Sequence, residues 1–198
     1  DHFATAQEMW KKCDAAGDIY KKSYKGLYCV SCEAFYTPGE LSPAKECLYH
    51  PGKPVDEVEE ENYFFRLSKY QDALLKAIES DEYKITPQAR KNEVIGFIKN
   101  GLEDFSVSRS VKRARGWGVP VPGDDTQIMY VWFDALNVYR TASLDSSSHA
   151  SSIVHQSSSS WWPARLHVIG KDILRFHAVY WPAMLLSAKI ALPKELFV

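Results

Sequence analysis

The segment that decides the fold is "LHVIGKDILRFHAVYWPAMLLSA", residues 166–188, where a short apolar strand runs into a glycine and then into a helix. The strand lies in "RLHVIG" and ends at Gly170, and the helix is predicted over residues 172–188 with Asp172 as its N-cap. Pro182 removes one backbone hydrogen bond and should kink this helix. Four apolar side chains and one histidine recur at helical spacing on a single face: Ile173, Phe176, His177, Tyr180 and Met184.

His177 admits two interpretations. The pattern alone favours a core histidine whose nitrogens are satisfied by hydrogen bonds. A glycine between a strand and a helix N-terminus is, however, also what the close approach of a ligand's polar groups requires. Ligands of open α/β sheets bind at the carboxyl ends of the strands. Gly170 therefore marks a candidate binding site, with His177 close to it.

The segment "IMYVWFDAL", residues 128–136, is a near-continuous apolar run, which we interpret as a strand in a sheet buried on both faces. Trp132, Ala135 and Tyr139 surround Asp134 at the end of this run, where a small apolar ligand could be gripped. Aromatic walls with one hydroxyl and the imidazole of His177 fit an apolar side chain that carries a soft atom. The order strand, loop, strand, helix predicts an α/β domain.

The spacing of the cysteines predicts a zinc site. The motif "CVSC" contains Cys29 and Cys32, and "CLYH" follows with Cys47 and His50. Thiolates and one imidazole suit a tetrahedral zinc ion, and four protein ligands leave no open position, so the site should be structural. Cys13 lies outside the pattern and is expected to be a small buried hydrophobe. Such cysteine usage favours a reducing compartment and a metal over disulfides.

The amino-terminal third predicts a helix followed by short strands. A helix over residues 3–16 should end at Gly17 in the left-handed conformation. The aromatic, alternating residues that follow predict short strands on either side of a turn at Gly26. The run "EVEEE", residues 57–61, lies in extended chain and is best explained as a solvated strand edge.

Two further helices and a serine-rich tract follow. One helix buries an apolar stripe, and the next has Thr86 as its cap, Pro87 at its first position and Gly101 past its end. The tract "TASLDSSSHASSIVHQSSSS", residues 141–160, is predicted to be a mobile surface insertion, with its order from residue 143 onward left open. The stripe of the first helix consists of Leu67, Tyr70, Leu74 and Ile78.

Composition bounds the class of protein. The 198 residues carry a formal charge of −1 and are 45% hydrophobic, enough for one large domain or one and a half small ones. The near-neutral charge argues against holding nucleic acid by bulk positive charge, although a local basic patch is compatible with it. No apolar run reaches about 18 residues, so a membrane helix is not expected. Neither end of the sequence resembles a natural terminus, and we expect a fragment of a longer protein.

Six segments together resemble the methionyl-tRNA synthetases, a family of class I aminoacyl-tRNA synthetases. The resemblance covers most of the chain except the serine-rich tract. A single zinc knuckle joined to "EEENYFFRLS" and "IGKDILRFH" makes it very specific. The segments are "GDIYKKSYKGLYCVSCEAFYT", "CLYHPGKPVDEVEEENYFFRLSKY", "GLEDFSVSR", "WGVPVPGD", "YVWFDALNVY" and "HVIGKDILRFHAVYWPAMLLSA".

The resemblance implies an α/β fold: part of a Rossmann-type catalytic core with an inserted zinc-knuckle connective-peptide domain. Residues 1–18 would end the first half of the core, residues 19–127 would form the insert, and residues 128–198 would begin the second half. The implied reaction is ATP-dependent activation of methionine to methionyl-adenylate and transfer to tRNA(Met). The implied ligands are a structural zinc ion, methionine, ATP with Mg and the tRNA.

The resemblance also implies roles for individual residues. Tyr139 and His177 would stand near the methionine thioether, Gly170 and Asp172 would face the adenylate, and zinc would bind the four residues of the two cysteine motifs. Arg109 and Asp134 would orient their neighbours. Phe105 stands where the family often has a tryptophan that closes over the ligand, and Leu136 stands where some members have proline. The implied methionine pocket comprises Phe105, Trp132, Ala135, Leu136, Tyr139, Ile173, Phe176 and His177.

The HIGH and KMSKS motifs that grip the phosphates in class I synthetases are absent from the sequence, so this chain alone should not activate methionine. The expected location is the cytoplasm, with an organelle as the alternative and no membrane partner. Two other functions stay open: a class I synthetase for another apolar amino acid, and a non-enzymatic zinc ribbon that binds RNA or protein. The basic run "SVKRAR", residues 110–115, could meet the tRNA acceptor end or be an exposed turn.

Overall fold

The computed structural model describes residues 2–31, 34–36, 39, 41–144 and 162–198. The chain forms two compact units, one of residues 21–62 and one of residues 1–20 with 63–198. The smaller unit lies within the range predicted for the insert.

The described residues form six α-helices and ten strands. The helices are α1 (His2–Ala15), α2 (Gln71–Glu79), α3 (Gln88–Lys99), α4 (Val131–Ala135), α5 (Val138–Leu144) and α6 (Trp181–Ser187). The strands are β1 (Ile19–Cys29), β2 (Ala34–Tyr36), β3 (Asp56–Phe65), β4 (Lys84–Thr86), β5 (Phe105–Ser106), β6 (Ser108–Ser110), β7 (Pro120–Val121), β8 (Asp124–Met129), β9 (Leu166–Val168) and β10 (Glu195–Phe197).

A three-stranded parallel sheet contains β9, the strand that precedes Gly170. Its strands lie in the order β4-β10-β9, and Leu196 is in register with Ile85 on one side and His167 on the other. These three side chains are buried. Because strand residues alternate between faces, the neighbouring side chains of β9 point the opposite way. Leu166 and Val168, on either side of the buried His167, are exposed. Phe197 on β10 is exposed as well.

Two further sheets have the orders β2-β1-β3-β5 and β6-β8-β7, in which β1 and β2, β3 and β5, and both pairs of the second sheet are antiparallel. In the second sheet Arg109 pairs with Ile128, and a turn over residues 111–117 leads back across β8. Gly118 has a φ of 128°, and a Cβ there would lie 2.5 Å from Cγ2 of Ile128. Only glycine therefore lets the chain pass this close to β8.

The core of the larger unit forms where α1 packs against α6. Met9, Trp10 and Cys13 on α1 are buried, as are Trp181 and Met184 on α6. The Cys13 thiol donates to the carbonyl of Met184 at 3.7 Å, and burial raises the pKa of this thiol. The prediction that Cys13 is a small buried hydrophobe is confirmed.

Asp18 is a fully buried carboxylate that connects three parts of the larger unit. Its Oδ1 lies 2.6 Å from the Nζ of Lys69, and its Oδ2 accepts hydrogen bonds from the hydroxyls of Tyr70 and, at 2.8 Å, Ser187. Burial alone would raise the pKa of Asp18, but these hydrogen bonds outweigh it and lower the pKa. The chain after α1 is thereby fastened to the residues before α2 and to the end of α6.

Several local predictions are confirmed. The first helix, His2–Ala15, precedes Gly17 with a φ of 73°, and Gly101 past α3 has a φ of 100°. The stripe predicted from Leu67 to Ile78 lies on a 3-10 turn, Leu67–Tyr70, that continues into α2. Strand β9 also falls where "RLHVIG" predicted it.

Two predicted boundaries are wrong because long-range contacts override local signals. No turn interrupts the chain at Gly26, since β1 runs continuously and pairs with β3, where Lys25 lies 3.7 Å from Glu59. Thr86 does not cap α3, because it ends β4 and its hydroxyl donates to Glu195 at 2.9 Å. Pro87 takes the N-cap position instead of the first helical position.

Two predictions around the candidate site are also corrected. The run "IMYVWFDAL" is not one strand, because β8 ends at Met129 and α4 begins at Val131. Apolar residues in short runs satisfy helix and strand equally, and here buried Phe133 and Leu136 lie at helical spacing. Asp172 is not an N-cap, since the 3-10 turn Lys171–Ile173 has Gly170 in that position and no side-chain cap.

Candidate functional site

The helix that carries His177 is irregular, and the irregularity has an identifiable cause. The π-helix Phe176–Tyr180 precedes α6, and Pro182 occupies the first turn of α6. In π-helical register the N–H of residue 182 would bond the carbonyl of His177, but proline has no N–H. The hydroxyl of Tyr83, which is fully buried, donates to that carbonyl instead, at 2.9 Å. The segment in which the sequence predicted a regular helix kinked at Pro182 is thus π-helical before the proline.

The imidazole of His177 is fixed by a partner at each nitrogen. Its Nδ1 lies 3.0 Å from the carbonyl of Ile173, and its Nε2 lies 2.7 Å from the hydroxyl of Tyr139. A carbonyl only accepts, so Nδ1 carries the proton, and in the neutral ring Nε2 accepts from Tyr139. Burial lowers the pKa of His177, although the Ile173 contact opposes this in part. The ring is therefore neutral at pH 7.

Tyr139 is packed between two histidines. Its ring stacks on His167 with centroids 4.2 Å apart, and it meets His177 edge-on at 5.6 Å. His167 is 5% exposed, and burial, with a smaller contribution from the charge of His177, lowers its pKa to about 4. His167 was not singled out from the sequence. The signal was its place in β9, where strand alternation turns residue 167 away from its exposed neighbours.

Further aromatic side chains extend from His177 as two stacked pairs. Trp132 and Phe176 stack with centroids 3.9 Å apart, and Phe105 and Tyr180 stack at 4.3 Å. An edge-on contact of 5.4 Å between Phe176 and Tyr180 joins the pairs. These four rings sit on three separate elements, so their contact is a tertiary feature. We call the following set the aromatic cluster: Phe105, Trp132, Tyr139, His167, Phe176, His177 and Tyr180.

The other residues predicted for the site differ in exposure. Ala135 and Ile173 are half-buried beside cluster residues in the chain, whereas Leu136 is buried in the hydrophobic core. Gly170 and Asp172 are exposed where β9 ends and the 3-10 turn begins. A Cβ on Gly170 would meet no described atom within 4 Å. Folding of the described residues therefore does not require glycine at this position.

Arg109 and Asp134 each contact neighbours within the larger unit. The guanidinium of Arg109 lies over the ring of Tyr130 at 4.5 Å and donates to the hydroxyl of Ser106 at 2.8 Å. Asp134 Oδ1 lies 2.6 Å from Nε2 of His2. His2 was not singled out from the sequence, because the two residues are distant in the chain and become neighbours only through packing of α1.

Three of the four predicted zinc ligands come together in the smaller unit. Ligand atoms of Cys29, Cys47 and His50 all lie within 4.8 Å of one another, and Nδ1 of His50 is 3.8 Å from each sulfur. Tetrahedral zinc with ordinary bond lengths would separate nitrogen and sulfur by about 3.6 Å. The donor types and their spacing fit this ion. Cys32, the fourth predicted ligand, lies outside the described residues.

The serine-rich tract was predicted to begin at residue 141, but residues 141–144 belong to α5, and residues 145–160 lie outside the described residues. Within the described ranges, no helix is both long enough and apolar enough to cross a membrane.

Comparison with known proteins defines first the class and then the family. The family model for class I tRNA synthetases (M) matches residues 1–49 and 38–198. The solved structure of Mycobacterium tuberculosis methionyl-tRNA synthetase in complex with methionyl-adenylate superposes with a TM-score of 0.85 at 43% identity, covering 100% of this chain and 38% of that one. The fold is thus that of a class I synthetase catalytic domain, with mixed α/β content.

Relatives at high identity agree with this assignment. A methionine–tRNA ligase of Nostoc sp. is 49% identical over 196 residues, and one of Rhizobium meliloti is 48% identical over 201 residues. Each match covers 99% of this chain but only 36% and 37% of the relative. The chain belongs to the methionyl-tRNA synthetase family, and it spans a little over a third of the length of these relatives.

Proposed function

We propose that the chain is part of a methionine–tRNA ligase, which activates methionine with ATP and transfers it to tRNA(Met). The observation that carries the proposal is the hydrogen bond between Tyr139 and His177 inside a wall of stacked aromatic rings. Family membership supports the proposed ligase reaction, and the side-chain geometry supports methionine as the amino acid. The parent protein would supply the phosphate-gripping motifs that this chain lacks.

The aromatic cluster suits the methionine side chain because a thioether is polarisable and favours contact with aromatic rings. Trp132 and Phe176 would give one wall, and Phe105, stacked on Tyr180, would stand where the family often closes over the ligand. Ala135, Leu136 and Ile173 would complete the pocket, with Leu136 shaping it from the core. A longer or branched side chain would have to displace a stacked ring.

Within this pocket His177 would act as a wall and not as a general base. Its Nε2 already accepts from Tyr139, and its Nδ1 proton is held by Ile173, so neither nitrogen is available to remove a proton. Adenylate formation is in-line attack by the methionine carboxylate on the α-phosphate of ATP. That reaction needs positioning and charge neutralisation more than it needs a protein base.

ATP and the adenylate would lie at the carboxyl end of β9. Gly170 and Asp172 are exposed there, which leaves room for a nucleotide to approach the backbone closely. The carboxylate of Asp172 would accept a hydrogen bond from the ribose. Arg109, held over Tyr130, and Asp134, paired with His2, would orient the residues around the amino acid. Mg would enter with ATP as part of the substrate.

A structural zinc ion would hold the smaller unit through Cys29, Cys32, Cys47 and His50. The described sulfur–nitrogen distances and the donor chemistry support this. A unit of residues 21–62 buries little core, and the ion would stabilise its fold. We further propose the domain division of the sequence analysis, with residues 19–127 as the insert between core segments 1–18 and 128–198. Cytoplasmic location stays a prediction.

Amino-acid-dependent ATP–pyrophosphate exchange by the full-length parent protein tests the proposal. Methionine should support exchange, whereas leucine, isoleucine and valine should not. Exchange with a branched amino acid would indicate a different class I synthetase. Exchange with none of them, in a folded zinc-loaded protein, would favour a binding module. The 198-residue chain alone should show no exchange in the same assay.

A further inference from the structure

The turn between β6 and β7 is a fixed structure. We define the basic turn as residues 111–117. The amide of Ala114 donates to the carbonyl of Ser110 at 3.0 Å, and that of Gly116 donates to Val111 at 2.9 Å. Arg115 adopts a φ of 53°, which few residues other than glycine do without such support. The side chains of the basic turn are therefore presented in a defined arrangement.

The basic turn exposes an aromatic ring. Trp117 is 84% exposed, which makes it the most exposed large hydrophobic side chain among the described residues. Its amide donates to the carbonyl of Ala114 at 3.0 Å, so the backbone holds it in place while the ring stays in solvent. Lys112 and Arg115 are exposed on the same turn. A tryptophan held outward on the same turn as two exposed cations has a flat face to offer a partner.

The local charge is strongly positive. Residues 110–123 contain Lys112, Arg113 and Arg115 and no aspartate or glutamate, whereas the whole chain carries −1. A concentration of positive charge in a near-neutral chain attracts polyanions locally. An exposed aromatic ring combined with such charge matches the chemistry by which proteins bind single-stranded nucleic acid.

We propose that the basic turn binds the single-stranded 3′ end of the tRNA, with an unpaired base stacked on Trp117 and phosphates contacted by Lys112 and Arg115. The proposal rests on the proposed function, because a tRNA ligase must receive that end. A duplex would not use the ring, since its bases have both faces covered by stacking. A protein partner would need acidic groups around an apolar contact, and it is the competing outcome of the test.

Binding of tRNA(Met) transcripts to the full-length parent protein tests the proposal. One transcript is intact and the other lacks its single-stranded 3′ end. Trp117→Ala should weaken binding of the intact transcript about tenfold, the typical effect of losing one stacked base. It should leave the truncated transcript unaffected. Trp117→Phe keeps an aromatic face and should retain most of the affinity. A double K112A/R115A variant should flatten the dependence of log affinity on log salt by about 1.4.

Lys76→Ala is the matched control, because Lys76 is an exposed cation on α2 outside the basic turn. It should change neither affinity nor salt dependence measurably. Equal weakening of both transcripts by Trp117→Ala would place the contact on the duplex and overturn the proposal. Loss of thermal stability in that variant would overturn it too, because the ring would then pack against the rest of the parent protein. Failure of wild-type methionine-dependent exchange would instead refute the proposed function.

Discussion

His167 gives the larger unit a specific sensitivity to acid. Its ring is buried against Tyr139, with His177 the other titratable group that faces it, and its pKa is about 4 instead of the usual 6.5. Between these values the unfolded chain binds a proton that the folded protein does not. Protonation of His167 therefore does not reduce the free energy of unfolding above pH 6.5, and it reduces it progressively as the pH drops toward 4.

The size of the effect follows from the two pKa values. At pH 7.5 His167 is neutral in both states and contributes almost nothing to the pH dependence. At pH 5.0 protonation of the unfolded chain favours unfolding by about 2 kcal/mol, since the folded ring stays neutral. Replacing His167 by phenylalanine keeps a flat ring against Tyr139 and removes this proton. The variant should therefore lose about 2 kcal/mol less stability than wild type between pH 7.5 and pH 5.0.

Urea denaturation of both proteins at the two pH values measures this difference. Comparing each protein with itself removes any change in packing that phenylalanine causes, and the pH dependence due to His177 is common to both. NMR titration of the His167 ring in the folded protein gives an independent check. The reasoning is refuted if both proteins lose the same stability, or if the ring titrates near its ordinary pKa.

Three further predictions concern other residues. Tyr139→Phe removes the hydrogen bond to His177 and should raise the KM for methionine about fivefold in pyrophosphate exchange, with little change in the KM for ATP. Cys47→Ser should abolish stoichiometric zinc in the purified protein, as measured by elemental analysis, whereas Cys13→Ser should retain it. Asp18→Asn should lower the free energy of unfolding at pH 7 by about 2–3 kcal/mol, because Lys69, Tyr70 and Ser187 lose a charged acceptor.

Each of these has an outcome that contradicts it. An equal rise in the KM for methionine and for ATP would mean that Tyr139 supports the whole fold and not the methionine pocket. Full zinc content in Cys47→Ser would exclude this residue as a ligand. The folded-state pKa of Asp18 is lowered, so its stabilisation is present above the unfolded value of 3.8 and disappears in acid. Asp18→Asn should therefore flatten the acid limb, and an unchanged limb would contradict the account.

Local sequence signals predicted the features that depend on neighbouring residues. The motifs around Cys29 and Cys47 needed only spacing, and Gly17 needed only a helix end with a left-handed residue. The helical stripe that brings His177 inward is likewise local, because residues three and four apart share a helix face. These predictions required no knowledge of what packs against the element.

The predictions that were wrong, and the residue that was overlooked, involve features that depend mostly on residues distant in the chain. Gly26 carries a turn signal, but pairing of β1 with β3 overrides it. Thr86 has a side chain that can cap a helix, but its hydroxyl donates to Glu195, more than a hundred residues later in the chain. The run from Ile128 to Leu136 cannot reveal its change from strand to helix, since apolar residues on consecutive positions fit both. His167 was overlooked because its stacking partner comes from another element.

Backbone irregularity and side-chain placement are linked at His177. Pro182 withholds an N–H, the chain before it adopts π-helical register, and Tyr83 supplies the missing donor to the carbonyl of His177. The same residue has its imidazole fixed by Ile173 and Tyr139. The backbone carbonyl and the ring of His177 are thus held by residues from three separate parts of the chain. A regular helix alone could not provide these contacts. Because His177 is already fixed, it loses little conformational entropy when a ligand binds. More of the binding energy can then distinguish one amino-acid side chain from another.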